Sequence, residues 1–179
     1  MKTKRIAFSA LAIALATVIS TFIKLPSLPN GGSVTLFSML LITLIGYWYG
    51  PVTGITSAVA YGVLQFILGP YVVHPAQVLL DYPLAFGALG LSGFFCNRKY
   101  GLLIGYLVGI LGRLFFHEVS GLIFYTSYVD GFLGSWPAIW ASLVYNASYV
   151  LTEGAVTIAL LAIPAVRNMF AALKKMATT

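Results

Sequence analysis

A chain of 179 residues that is 60% hydrophobic and 8% charged cannot clothe itself for water. Soluble domains carry about 25% charged residues, so the solvent that this composition and a mean hydropathy of +0.95 suit is lipid. The net charge of +6 is spread over dispersed basic residues, which excludes the clustered basic face that nucleic-acid binding requires.

At roughly 20 residues per crossing, the expected fold is an all-α integral membrane protein, a six-transmembrane-helix bundle forming one domain over residues 1–179. Apolar runs place its helices at about 6–23, 35–49, 51–68, 75–95, 101–125 and 137–166. The first follows Lys2, Lys4 and Arg5 but is full length and precedes further apolar segments, so it reads as a membrane helix rather than a signal peptide. Pro51 and Pro75 suit the first turns of their helices. Gly69 and Pro70 mark a break between them, and Pro83 predicts a kink. Residues 96–100 form a short polar turn, and the lone Cys96 there excludes an intramolecular disulfide and a cysteine-based metal site. A loop containing Asp130 and Gly131 precedes the sixth helix, and the last dozen residues read as a basic, frayed tail. With six crossings, the amino terminus, the 96–100 turn and the carboxyl terminus share one side, and eight of the ten Lys and Arg residues lie there. Basic residues collect in cytoplasmic loops, so both termini are expected to be cytoplasmic.

An ionisable side chain within hydrocarbon is costly and marks a functional position by default. Asp81, Arg113, Glu118 and Glu153 are such residues, accompanied by His117 and Asn146. Asp81 lies six residues past Pro75, about 9 Å below the outer end at 1.5 Å per residue. His117 and Asn146 fall at a similar outer depth on the fifth and sixth helices, which predicts a pocket open to the external face. His117, Gly121 and Tyr125 share a helix face at i, i+4 and i+8, with Gly121 leaving a recess for a flat ring. Asp81, Tyr82 and Tyr71 add carboxylate and aromatic surface, a combination suited to a flat cation. Two other readings stay open: Arg113 pairs with Glu118 or Glu153 to lock the bundle, and Glu153, lying deeper, is structural. His117-Glu118 begins a zinc-protease motif, but glycine at 121 removes the second ligand. No P-loop or nucleophile elbow is present, so no enzymatic activity is expected, and any ATP-driven work requires another subunit.

Four stretches carry a resemblance: LPNGGSVTL from residue 28, LGPYVVHPAQVLLDYPLAFGALGLSGFF from 68, FFHEVSGLIFYTSY from 115 and SLVYNASYVLTEG from 142. Together they resemble the thiamine-specific substrate-binding (S) components of energy-coupling factor (ECF) transporters. The resemblance implies six helices, cytoplasmic termini and capture of thiamine near the outer face, with no cofactor. The implied partners are a transmembrane scaffold subunit and two cytoplasmic ATPases. By motif the implied binding residues are Tyr71, Asp81, Tyr82, His117, Gly121, Tyr125 and Asn146, and the implied scaffold contacts are Ala10 and Ala14. This chain departs from a well-studied form of the pattern in having Asp81 for glutamate, Tyr125 for tryptophan and Gly32 for a loop tryptophan. Alternatives are another ring ligand, such as pyridoxine or hydroxymethylpyrimidine, and a stand-alone ion-coupled transporter using Arg113, Glu118 and Glu153 as a relay.

Overall fold

The computed structural model describes residues 2–23, 25, 28, 32–124 and 135–179. Among them run the helices α1 (Lys2–Phe22), α2 (Ser38–Tyr49), α3 (Pro51–Leu68), α4 (Pro75–Phe95), α5 (Gly101–Phe124), α6 (Trp136–Ala162) and α7 (Pro164–Thr178). Within these described residues, α1, α3, α4, α5 and α6 are each long and apolar enough to cross a bilayer. Large exposed side chains such as Leu11, Ile67, Leu111, Phe115 and Val144 are what a lipid-facing exterior requires.

The apolar α2 has only 12 residues, about 18 Å at 1.5 Å per residue, against a hydrocarbon thickness of about 30 Å. It starts at Ser38, three residues later than the hydropathy pattern places it. The cause lies on α6. The Glu153 carboxylate accepts hydrogen bonds from Thr35 Oγ1 at 2.8 Å, Ser38 Oγ at 3.3 Å and the Met39 amide at 3.0 Å. A buried carboxyl group thus caps the first turn of α2, where the helix dipole favours negative charge. The chain enters that turn through Phe37 at φ 68°, a left-handed conformation that a side chain disfavours. Glu153 is structural in this sense, as its depth suggested.

The central helix is α4, which packs against α2, α3 and α5. Its winding changes along its length. After one α-helical stretch, Pro75–Leu79, the turn widens to π spacing over Leu80–Leu84 and tightens to 3₁₀ over Ala88–Phe95. Pro83 lacks an amide hydrogen, and its ring would strike the carbonyl four residues back. Widening the turn relieves that clash, so the predicted kink takes the form of a change of winding. Beyond it, α4 meets α3 backbone to backbone. A methyl group placed on Gly90 would fall on the backbone of Gly54 and Ile55, and one on Gly93 would fall on Gly50 and Pro51. Such close approach is how helices gain packing energy in lipid.

The helix expected over 137–166 divides instead. Ile163 is extended, with φ −70° and ψ 120°, because Pro164 disfavours the helical region for the residue before it. Proline then suits the first turn of α7, and the frayed tail expected from the sequence is a packed helix. Phe170 and Ala177 are buried against the bundle. Tyr49 donates to the Ala177 carbonyl at 3.1 Å. Lys174 donates to the Cys96 carbonyl and lies 4.1 Å from the centre of the Tyr47 ring. Burial holds its ammonium pKa below the usual lysine value. The carboxyl-terminal helix therefore covers the ends of α2 and α4 where they finish, and Arg5 near the amino terminus lies in the same region as Tyr49. Helix α1 buries Ser9, Ala12 and Ala16, and leaves Ala10 and Ala14 on its exposed side.

Candidate functional site

At the end away from both termini, the bundle opens into a cavity of about 550 Å³, within the range of small-molecule sites. Its walls come from the ends of α1 and α3, the starts of α2 and α4, and the outer turns of α5 and α6. The short α2 makes this space. Non-helical backbone at Gly32, Ser33 and Thr35 fills the position that a longer helix would occupy. Irregular backbone at membrane depth is tolerated where it lines such a cavity.

Six of the seven predicted site residues, Tyr71, Asp81, Tyr82, His117, Gly121 and Asn146, line this one cavity. The seventh, Tyr125, lies outside the described residues. The widened turn of α4 holds Asp81 and Tyr82 side by side on the wall. Asp81 Oδ1 lies 3.0 Å from His117 Nδ1, and Oδ2 accepts from Gln77 Nε2 at 2.6 Å. Gln77 also donates to the Tyr71 carbonyl at 3.3 Å and accepts from the Val73 amide at 3.2 Å. The carboxylate is thereby oriented by two helices and a loop. It remains reachable, because its side chain is 22% exposed against 9% for His117.

Tyr82 does more than frame the cavity. Its hydroxyl accepts from the Tyr71 amide at 2.9 Å and donates to the Gly69 carbonyl at 3.3 Å, tying the loop after α3 to α4. Asn146 Nδ2 donates to the His117 carbonyl and to Ser142 Oγ, each at 3.2 Å, while its Oδ1 accepts from Tyr149 at 2.8 Å. The Tyr149 ring meets the His117 imidazole edge to face at 5.8 Å.

Gly121 works differently from the expectation. A Cβ there would fall on Ser142 Oγ, so the space is taken by α6. Glycine at this position brings α5 and α6 together at the cavity wall. Arg113 also departs from its expected pairing. Among the described residues it makes no ion pair with Glu118 or Glu153. Its Nε donates to His117 Nε2 at 3.2 Å, and its guanidinium lies 4.2 Å from the Phe86 ring centre, on the cavity wall. Glu118 accepts from Ser142 at 3.0 Å, and Glu153 caps α2. The three residues of the expected ion relay are thus held by different partners: Arg113 by His117, Glu118 by Ser142 and Glu153 by the start of α2.

Sequence reasoning passed over Gln77, Gln65 and Phe86, all on the wall. Gln77 carried a usable signal: it stands four residues before Asp81, one helical turn away on the same face.

Spanning-length apolar helices around a polar cavity of ligand size define a multi-pass membrane protein of the solute-handling class. The sequence profile of the thiamine transporter protein family (Thia_YuaJ) matches residues 6–172. The chain belongs to that family. It is 34% identical over 157 residues to the thiamine transporter ThiT of Bacillus subtilis (strain 168), covering 80% of this chain and 78% of the relative. It is 24% identical over 139 residues to the thiamine transporter ThiT of Lacticaseibacillus paracasei, covering 68% of each. The solved structure of ThiT from Listeria monocytogenes superposes with a TM-score of 0.68 at 25% identity, over 92% of this chain and 97% of that one.

Proposed function

We propose that this protein is a thiamine-binding S component of an ECF-type importer, capturing the vitamin in the cavity at the end of the bundle away from the termini. The observation that carries the reading is Asp81. An oriented, reachable carboxylate lies among Tyr82, Phe86 and Tyr149 in a space of ligand size. A carboxylate offers an ion pair to a thiazolium and an acceptor to an aminopyrimidine, and aromatic faces attract a flat cation. Asn146 and His117 supply further polar contacts at the same depth, and the ligand leaves chemically unchanged.

In this reading the cavity faces outward and both termini are cytoplasmic, which accords with the bias of eight of the ten basic residues toward the other end. Energy comes from elsewhere, because the chain has no P-loop. A transmembrane scaffold and two cytoplasmic ATPases supply it, and the exposed Ala10 and Ala14 give α1 a smooth face for the scaffold.

Calorimetric titration of the detergent-purified protein with thiamine tests the proposal. Saturable binding at or below micromolar concentration is expected, together with its loss in Asp81→Ala. Equal binding by that variant sinks the site assignment, and stronger binding of pyridoxine or hydroxymethylpyrimidine than of thiamine sinks the ligand. Liposomes holding this chain alone are expected not to accumulate thiamine; accumulation driven by an ion gradient would favour the stand-alone transporter.

A further inference from the structure

The thiamine reading uses Asp81 as an anion, but Asp81 touches a histidine, and a histidine that takes a second proton would neutralise it. We propose that Arg113 is a positioning residue that holds His117 as the neutral tautomer protonated on Nδ1, and so keeps Asp81 a full anion facing the cavity.

The argument rests on who donates to whom. A guanidinium has donors only, so the 3.2 Å contact from Arg113 Nε makes His117 Nε2 an acceptor with a free lone pair. A neutral imidazole carries one proton, which must then be on Nδ1. Nδ1 lies 3.0 Å from Asp81 Oδ1, a carboxylate oxygen that accepts. Each contact requires the other's assignment, so the chain Arg113, His117, Asp81 has a single consistent set of protons. Gln77 closes it by donating to the second carboxylate oxygen.

Arg113 also opposes a second proton on His117 in two ways. It occupies the lone pair that the proton would need, and it sets a permanent cation beside the ring. Its own position is fixed by the Phe86 ring, 4.2 Å from the guanidinium carbon. The other groups facing His117 are each engaged by named partners, Asp81 by His117 itself and by Gln77. From α4 these are Asp81 and the phenol of Tyr82, engaged with the loop at residues 69–71. From α6 it is Tyr149, whose hydroxyl donates to Asn146. Glu118 is turned to Ser142 and Glu153 to the start of α2. An unperturbed histidine changes charge between about pH 5 and 8.

The proposal builds on the binding site described above, but its test is read in the ligand-free protein. The chain has two histidines, His74 and His117, so ¹⁵N-histidine labelling gives two imidazole signals, and a His74→Gln variant assigns them. In the wild type, His117 is expected to show one protonated nitrogen, Nδ1, and one unprotonated nitrogen, Nε2, throughout about pH 5 to 8. In Arg113→Met, His117 is expected to take a second proton within that window. Thiamine affinity of the variant should then fall about tenfold from the top of the window to the bottom, the equivalent of one pKa unit of coupling. The wild type controls for titration of the ligand itself. Arg113→Lys, which keeps the cation but not the planar fork, is expected to keep His117 singly protonated and guards against a methionine variant that does not fold. A wild-type His117 protonated on Nε2, or doubly protonated at neutral pH, overturns the proposal, as does an unaltered titration in Arg113→Met. The imidazole signals of the ligand-free protein are independent of whether thiamine binds, and a failure to bind thiamine leaves the tautomer result standing.

Discussion

At one end of α4, Asp81 and Tyr82 stand on a widened turn, one turn beyond Gln77, and the three direct polar groups into an open cavity. At the other end of the same helix, Gly90 and Gly93 pack against the backbone at the start of α3 with no room for a methyl group, and Lys174 on α7 holds the Cys96 carbonyl just past the helix. One helix thus joins a region where backbone hydrogen bonding is loosened to a region packed as closely as helices allow. The difference teaches that ligand contacts and bundle cohesion are separated along the membrane normal. Loose winding is affordable at the cavity because the glycine-packed half anchors the helix.

The separation breaks most sharply at Asp81. Asp81→Ala is expected to weaken thiamine binding by about 2–5 kcal/mol, a loss of roughly 30-fold to several thousand-fold. Its thermal midpoint in detergent should change little. Calorimetry paired with a melting curve checks both halves. A smaller but opposite signature is expected at the far end. Gly90→Val forces a side chain onto the Gly54 and Ile55 backbone and should destabilise the bundle by about 1–3 kcal/mol. The fraction that still folds should bind thiamine with unchanged affinity; a large affinity loss would show that the two ends are coupled.

Glu153 sits between these regimes, so it sharpens the boundary. Glu153→Gln leaves one acceptor oxygen where two now bind Thr35, Ser38 and Met39, and should cost about 1–3 kcal/mol. Amide hydrogen exchange should accelerate at the start of α2 and leave the glycine-packed half of α4 protected. The mildest change is Lys174→Met, which removes one charge-assisted contact at a half-exposed site and should cost about 1 kcal/mol of stability. Ligand affinity should stay within error, and a binding defect in this variant would place α7 in communication with the cavity.

Much of this arrangement was legible in the sequence because lipid imposes simple rules. Hydropathy located the helices, Pro75 marked the start of α4, and the cost of polar groups in hydrocarbon singled out Asp81, His117 and Asn146, which do share one cavity wall. What escaped depended on partners from distant parts of the chain. Arg113 stands four residues before His117 and five before Glu118, and what turns it to the histidine rather than the carboxylate is the Phe86 ring from α4 beside it. Nothing in a one-dimensional pattern reveals that Ser142 fills the space beside Gly121. The late start of α2 likewise needs Glu153, more than one hundred residues away along the chain. The split between α6 and α7 was the exception. Pro164 marks it locally, yet the expected helix over 137–166 runs straight through that proline.

The shortness of α2 bears on the membrane voltage. A potential falls mainly across the part of a membrane protein that excludes water and ions, and each elementary charge moved through 100 mV exchanges about 2.3 kcal/mol. With the cavity facing outward, the dry layer beneath it is about as thick as the 12-residue α2 is long, roughly 18 Å. A cationic vitamin that settles beside Asp81 has then crossed little of the field, so loading should be nearly independent of voltage. The electrical work falls on the later inward step, where a negative cell interior favours delivery of the cation.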